Sequence, residues 1–103
     1  MNAYKAELQK LLQRFGQNVK RARLAQRPPC SQERLADASQ LHRTEISRIE
    51  QGLVEPRLTT LMILADALDV SVDELFDGVD APAGRRPSPT GGGRRKPPPD
   101  GAD

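Results

Sequence analysis

Residues 31–52 read SQERLADASQLHRTEISRIEQG, and this stretch decides the fold of the 103-residue chain. Ser31 can begin a short helix over residues 32–39, because its hydroxyl can accept a hydrogen bond from the free N–H groups of the first turn. A break around Gln40-Leu41 precedes another helix over residues 43–51, which Gly52 can end in a left-handed conformation. Two short helices joined by a tight break predict a helix-turn-helix.

On the N-terminal side, apolar residues recur at three- and four-residue steps and predict one amphipathic helix over residues 3–26. This stripe consists of Tyr4, Leu8, Leu11, Leu12, Phe15, Val19 and Ala22. Gly16 lies inside the predicted helix, which means either that two helices pack closely there or that the helix is interrupted. Pro28-Pro29 end the helix, because proline lacks the N–H donor.

On the C-terminal side, the pattern predicts two more helices and no strand. Pro56 opens a fourth helix that runs to about residue 68. Its predicted core stripe is Leu58, Leu61, Ala65 and Leu68. Ser71 and Glu74 form a capping box that starts a fifth helix ending near Phe76. The prediction is therefore an all-α, compact five-helix domain.

The composition changes sharply at residue 78. From Gly78 onward the chain holds six of its nine prolines and six of its eight glycines, and no Leu, Ile, Phe or Tyr. Such a stretch cannot bury enough apolar surface to offset its ordering entropy, so we expect a disordered C-terminal tail over residues 79–103. The predicted divisions are an N-terminal helical extension over 1–14, a helix-turn-helix domain over 15–78, and this tail.

Charge is distributed unevenly along the chain. Residues 1–57 carry eleven Lys and Arg against six Asp and Glu, whereas residues 58–78 carry none against five. A basic front and an acidic back suit a protein that faces phosphate on one side, although an ordinary mixed surface would give the same counts. The single cysteine, the absence of a run near the ~20 apolar residues that cross a membrane, and the absence of a signal-peptide pattern predict a cytoplasmic location.

The third predicted helix has a polar outward arc. Steps of 100° place five residues on that arc, namely Arg43, Thr44, Ser47, Arg48 and Gln51. Ile46 and Ile49 fall on the opposite side, toward the core. Arginine and small polar side chains fit the major groove of DNA, where arginine can bridge O6 and N7 of guanine. A solvated helix face is the alternative.

Residues 15–76 resemble the lambda-repressor-like, Cro-type (xenobiotic-response-element) helix-turn-helix domain. The resemblance rests on Phe15-Gly16, Val19, Arg23, residues 31–36, residues 46–52, Pro56, Leu58, Leu61, Ala65, Leu68, Val70-Ser71 and Glu74-Leu75. It implies a sequence-specific regulator of transcription that binds double-stranded DNA. The chain departs from the family pattern by two extra residues between Arg23 and Ser31, and by Gln40 and Asp69 at positions where glycine is usual.

The resemblance also implies the roles of individual residues. Base contacts fall to Arg43, Thr44 and Arg48, with Ser47 close to the groove. Phosphate contacts fall to Gln32 in the first turn of the second helix and to Arg57 at the start of the fourth, where main-chain N–H groups also point outward. We add His42, which precedes the third helix, and Gln51, its last residue, as phosphate contacts. Simple solvent exposure is the alternative for Gln32.

In this family the counterparts of Arg23 and Glu50 form a partly buried ion pair that fixes the first helix against the third. Glu50 lies at the border of the core-facing arc, where an unpaired carboxylate would carry a large desolvation cost. Both residues are therefore predicted to be structural and are excluded from the reading residues. Cys30, just before the second helix, is predicted to be a small buried hydrophobic residue.

The chain has more apolar residues than one small core can bury, which predicts a homodimer. The interface candidates are Met62, Ile63, Val72, Leu75 and Phe76. A dimer would place two recognition helices about 34–36 Å apart and read an inverted repeat. Residues 41–44, 46–47 and 49–50 are similar to restriction–modification controller proteins, and an antitoxin-like or phage-type repressor stays open.

Two other classes of function can be compared with the sequence. The fold could serve as a protein-interaction module with weak or no specific DNA binding, although its polar arc lacks the aromatic or aliphatic anchors of a docking face. An enzyme is not expected, because no paired carboxylates, Cys/His dyad or phosphate loop appears. The sequence likewise predicts no metal site, cofactor, small-molecule ligand or membrane partner.

Overall fold

The computed structural model describes residues 3–82, which form five α-helices and no strand. The helices are α1 (Ala3–Leu24), α2 (Gln32–Ser39), α3 (Arg43–Glu50), α4 (Leu58–Leu68) and α5 (Val72–Leu75). The all-α, five-helix prediction is confirmed, with helix ends that differ from the predicted ones by at most two residues. None of the described helices is long and apolar enough to cross a membrane.

α1 runs through Gly16 without a break and packs there directly on the end of α3. A methyl group at Gly16 would overlap the carbonyl oxygen of Ile49 and lie 2.5 Å from that of Glu50. Of the two alternatives for this glycine, close helix packing is therefore the correct one. The contact sets α1 against the backbone of α3 rather than against its side chains.

Every helix contributes to one core. Its buried apolar side chains are Phe15, Val19, Leu35, Ile46, Ile49, Leu64, Ala65, Leu68 and Leu75. Fully burying a large aliphatic side chain contributes about 1.5–3 kcal/mol, so these residues supply most of the stabilisation that holds the short helices together. α2 and α3 depend on this core, because eight residues are too few for a stable isolated helix.

The predicted core stripe of α4 is wrong at its first residue. Leu58 is 71% exposed, whereas Thr60, two positions later, is buried. At 100° per residue, Leu58 lies about 90° from the centre of the buried arc of α4. Leu64 and Leu68 are the fully buried leucines of α4, and the sequence pattern included only Leu68.

The prediction that Leu75 belongs to the dimer interface is also wrong. Its side chain is 1% exposed and belongs to the core of the described domain, so it has no surface to offer a second subunit. Val72 and Phe76 lie four residues apart on a different side of α5 and keep more than a third of their surface exposed. The turn geometry of α5 thus separates one core residue from two surface residues.

The helix ends follow the capping chemistry of the sequence. The Ser31 hydroxyl accepts a hydrogen bond from the Arg34 N–H at 3.0 Å, and Ser71 and Glu74 form the complete capping box. Gln40 and Asp69 end α2 and α4 at φ 63° and 57°, in the left-handed region. A residue other than glycine costs on the order of 1 kcal/mol there, so both departures from the family pattern carry backbone strain.

Side chains of α1 and of the loop after it bind the C-terminal ends of the last two helices, which the sequence did not indicate. The buried Asn18 amide donates to the carbonyl oxygens of Leu75 and Asp77, at 2.9 and 2.8 Å. Gln26 donates to the carbonyl of Leu68 at 2.8 Å. α1 therefore binds the end of α5 as well as packing on α3, and the loop after α1 binds the end of α4.

The described chain continues past the predicted domain end. Val79 lies half-buried against the core, and its N–H donates to the Phe76 carbonyl at 2.9 Å. The composition assigned Val79 to the tail, but this residue packs on the domain. The rest of the predicted disordered tail, residues 83–103, lies outside the described residues, as do residues 1–2.

Candidate nucleic-acid interface

α3 presents its predicted reading residues on one outward face. Ile46 and Ile49 are 0% and 1% exposed and fix the opposite face in the core. The outward side chains are Arg43, Thr44 and Arg48, all exposed, with Ser47 half-buried. The structure thus brings together four side chains that carry N–H or O–H donors, on a helix whose rotation is set by its buried isoleucines.

A buried ion pair anchors this helix to α1. Arg23 Nε donates to Glu50 Oε2 at 2.7 Å, and Arg23 Nη2 donates to Glu50 Oε1 at 2.9 Å. The guanidinium therefore binds the carboxylate in a bidentate manner. Arg23 Nη1 donates to the carbonyl of Cys30 at 2.8 Å, and Cys30 itself is half-buried against the core. The longer loop after α1 therefore leaves the pair intact.

The electrostatics of the pair favour its charged form. The hydrogen bonds to Glu50 raise the pKa of Arg23 above its ordinary value, against the opposing effect of desolvation. The two side chains are 8% and 3% exposed, so little water reaches them. Such a pair fixes geometry, and removing one partner would leave an uncompensated buried charge.

Gln32 joins this buried pair to the outward face. Its Nε2 donates to Glu50 Oε1 at 3.1 Å, and its Oε1 accepts from Arg43 Nη1 at 3.3 Å. Simple solvent exposure does not describe this residue, because both ends of its amide have partners. The first turn of α2 therefore lies against both the buried and the outward side of α3.

Arg43 also lies 4.0 Å from Glu33, in a contact that leaves both side chains largely exposed, at 54% and 77%. An exposed ion pair at this distance contributes at most about 1 kcal/mol. A phosphate or a guanine can therefore replace Glu33 as the partner of this guanidinium at small cost. The contact orients the Arg43 side chain and leaves its guanidinium accessible to a ligand.

The remaining predicted phosphate residues lie at helix starts. His42 and Arg57 precede α3 and α4, and neither side chain caps its helix. Both line a groove between α3 and the loop before α4, together with Thr44 and Arg48 and with the carboxylates of Glu45 and Glu55. The first-turn N–H groups of α4 are thus free to bind an anion beside Arg57.

Gln51 makes a contact within α3 that the sequence prediction did not include. Its side-chain Nε2 donates to Ser47 Oγ at 2.9 Å and to the Ser47 carbonyl at 3.1 Å. The amide of Gln51 is therefore engaged within α3, and its contact with phosphate stays a prediction. The i, i+4 spacing of the two residues on a helix was a signal that could have indicated this contact.

Four of the interface candidates keep exposed apolar surface. Met62 and Ile63 of α4 are 57% and 39% exposed, and Val72 and Phe76 of α5 are 36% and 39% exposed. The misassigned Leu58 adds a fifth exposed apolar side chain at the start of α4. Among the described residues, no group of three or more His, Cys, Asp or Glu is placed to hold a metal ion.

Comparison with known proteins gives concordant matches. A helix-turn-helix family model matches residues 30–75. The control protein C.SmaI of Serratia marcescens is 51% identical over 46 residues, which are 45% of this chain and 55% of that protein. The control protein C.BamHI of Bacillus amyloliquefaciens is 41% identical over 63 residues, 61% of this chain and 76% of that protein.

A solved structure extends the likeness to the fold. The crystal structure of the restriction-modification controller protein C.AhdI from Aeromonas hydrophila superposes with a TM-score of 0.59 at 38% identity. The match covers 63% of this chain and 96% of that one. The chain therefore spans nearly all of the solved relative, three quarters of C.BamHI and about half of C.SmaI.

Proposed function

Because this chain belongs to the lambda-repressor/Cro-like helix-turn-helix family of DNA-binding transcriptional regulators, we propose that it is a restriction–modification control protein. It binds an operator with an inverted repeat as a homodimer, and it acts in the cytoplasm, where its DNA ligand lies. Three relatives from different organisms carry the words control or controller protein in their names, which supports this subclass over an antitoxin-like or phage-type repressor.

The observation that carries the proposal is the outward face of α3. Arg43, Thr44 and Arg48 are exposed on it, while the opposite face is fixed by the core and by the Arg23–Glu50 pair. A rigid helix with exposed arginines can enter the major groove and place guanidinium groups at guanine edges. Gln32 and the N–H groups at the start of α4 supply phosphate contacts on either side.

The first experiment selects ligands for the full-length protein from random DNA duplexes at two salt concentrations. We expect an enriched inverted repeat with the wild-type protein. The Arg43→Ala/Arg48→Ala variant should lose this enrichment and keep a weak, salt-sensitive background, because base contacts specify a site whereas phosphate contacts only position the protein.

A matched control removes two positive charges elsewhere. Lys10→Ala/Arg21→Ala changes side chains of α1 that border the segment after α5 and the groove beside α4 and α5, away from α3. It should enrich the same repeat as the wild-type protein. If neither the wild type nor the control enriches any sequence, the proposal is wrong and the domain serves as a protein-interaction module.

A further inference from the structure

We propose that Gln51 sets the hydrogen-bond polarity of Ser47, so that Ser47 reads a hydrogen-bond acceptor on a base. This inference rests on the proposed function, operator binding through the outward face of α3. It gives Gln51 the role of a positioning residue that acts through Ser47. It also predicts one feature of the operator that the arginines of α3 do not determine.

The direction of the hydrogen bond between the two side chains is fixed by a third atom. Gln51 Nε2 lies 3.1 Å from the main-chain carbonyl oxygen of Ser47 and 2.9 Å from its Oγ. A carbonyl oxygen can only accept, so the amide must turn its NH₂ group toward it and not its oxygen. The same NH₂ group then donates to the hydroxyl, which therefore accepts.

The Ser47 hydroxyl consequently keeps its own hydrogen for another partner. A serine hydroxyl has one hydrogen and two acceptor sites, and one of these sites is occupied by Gln51. No described group of the protein accepts a hydrogen bond from this hydroxyl. Ser47 lies between Arg43 and Arg48 on the outward face, and both guanidinium groups are donors only. The middle of α3 therefore presents a row of donors.

A donor at the position of Ser47 favours particular bases. In the major groove, guanine presents N7 and O6 as acceptors, thymine presents O4 and adenine presents N7, whereas cytosine presents only its N4 amino donor. We therefore expect depletion of cytosine opposite Ser47. A mismatched base pair of this kind changes affinity by roughly tenfold.

The test reverses the polarity with an isosteric change. In Gln51→Glu, the carboxylate turns away from the Ser47 carbonyl, because both groups only accept, and it accepts the hydrogen of the Ser47 hydroxyl, which leaves this hydroxyl with lone pairs only. Selection from random duplexes with full-length protein should then change the depletion of cytosine at one position of each half-site into a preference for cytosine. Overall affinity should fall, because the new charge lies near phosphates. Ser47→Ala identifies the position, since it should flatten the preference there and nowhere else.

A second variant separates polarity from charge. Gln51→Met keeps the length of the side chain and removes the hydrogen bond, so the preference at that position should weaken without reversing. Gln51 is exposed, and the unfolding midpoint of each variant checks that the domain is intact.

The outcomes distinguish the two proposals. An operator enriched by the wild type with an unchanged base preference in Gln51→Glu would overturn the role of Gln51 and leave the proposed function standing. A reversal that persists in Gln51→Glu/Ser47→Ala would also overturn it, because the effect would then not pass through Ser47. No enrichment by the wild type would overturn both proposals.

Discussion

Glu50 is the residue on which the geometry of α3 depends most. Its carboxylate accepts two bonds from Arg23 and one from Gln32, and its side chain is 3% exposed. The charge is therefore compensated within the protein rather than by water. Any change at this residue alters the contacts of α3 with both α1 and α2.

We expect Glu50→Gln to lower the free energy of unfolding by about 3–5 kcal/mol, because it leaves the buried guanidinium of Arg23 without a counter-charge. Urea denaturation of the full-length protein measures this loss. Glu55→Gln, an exposed carboxylate in the loop before α4, is the matched control and should change the stability by less than about 0.5 kcal/mol. A loss at Glu50 no larger than the control would contradict the role given to the pair.

At this scale the sequence predicted the pair but not its third member. The family resemblance implied the Arg23–Glu50 contact. The position of Glu50 at the edge of the core agreed with it, because a carboxylate there needs a partner. The bond from Gln32 to Glu50 depends on the angle between α2 and α3, which no spacing within either helix encodes. The contact between Gln51 and Ser47 lies within four residues, and helical spacing alone could have indicated it.

The shortest element, α5, depends on α1 for its position. Four residues cannot form a stable helix alone, and the capping box stabilises only its first turn. Asn18 provides donors for two carbonyl oxygens at its other end. Arg14 Nε adds a bond to the Asp77 carbonyl at 3.0 Å. Polar side chains of α1 thus replace the intrahelical bonds that so short a helix lacks.

Asn18→Ala should lower the free energy of unfolding by about 2–3 kcal/mol, because both hydrogen bonds of its amide NH₂ group are lost. The carbonyl of Leu75 then has no donor, and the carbonyl of Asp77 keeps only Arg14 Nε. Denaturation measures this value, and amide hydrogen exchange should show faster exchange confined to α5 and the residues after it. The neighbouring exposed residue provides the control, Gln17→Ala. Equal exchange in both variants would show that α5 is held by its apolar contacts alone.

The elements themselves were largely readable from the sequence, because caps and proline are local signals. Ser31, Ser71 and Pro28-Pro29 mark helix ends through their own chemistry, and those ends lie within two residues of prediction. The buried side of α4 was not readable in the same way. Its apolar residues surround most of the helix, so packing against α2 and α5, rather than periodicity, decides that Leu64 is buried and Leu58 exposed.

On the scale of the whole molecule, exposed apolar side chains concentrate in the last two helices. Leu58, Met62, Ile63, Val72 and Phe76 are each at least 36% exposed. The ring of Phe76 also packs against the buried ring of Phe15, with centroids 5.4 Å apart. We expect this surface, made of α4 and α5, to be the interface of the proposed homodimer.

Met62→Glu should dissociate the dimer, because a carboxylate at the centre of an apolar interface loses its hydration without gaining a partner. Sedimentation velocity of the full-length protein over a range of concentrations measures the change. Leu24→Glu replaces an apolar residue that is 48% exposed at the end of α1 and should leave the protein dimeric. A wild type that sediments as a monomer, free and on DNA, would refute the interface.

The contact between Gly16 and the backbone of α3 has a consequence for how such proteins diversify. Because α3 is held by main-chain carbonyls, by two buried isoleucines and by Glu50, its position depends little on its outward side chains. Arg43 contacts Gln32 and Glu33 of α2, but both contacts are exposed. Selection can therefore act on recognition and on stability through separate sets of positions. A lineage can acquire a new operator through single outward substitutions, with every intermediate protein still folded.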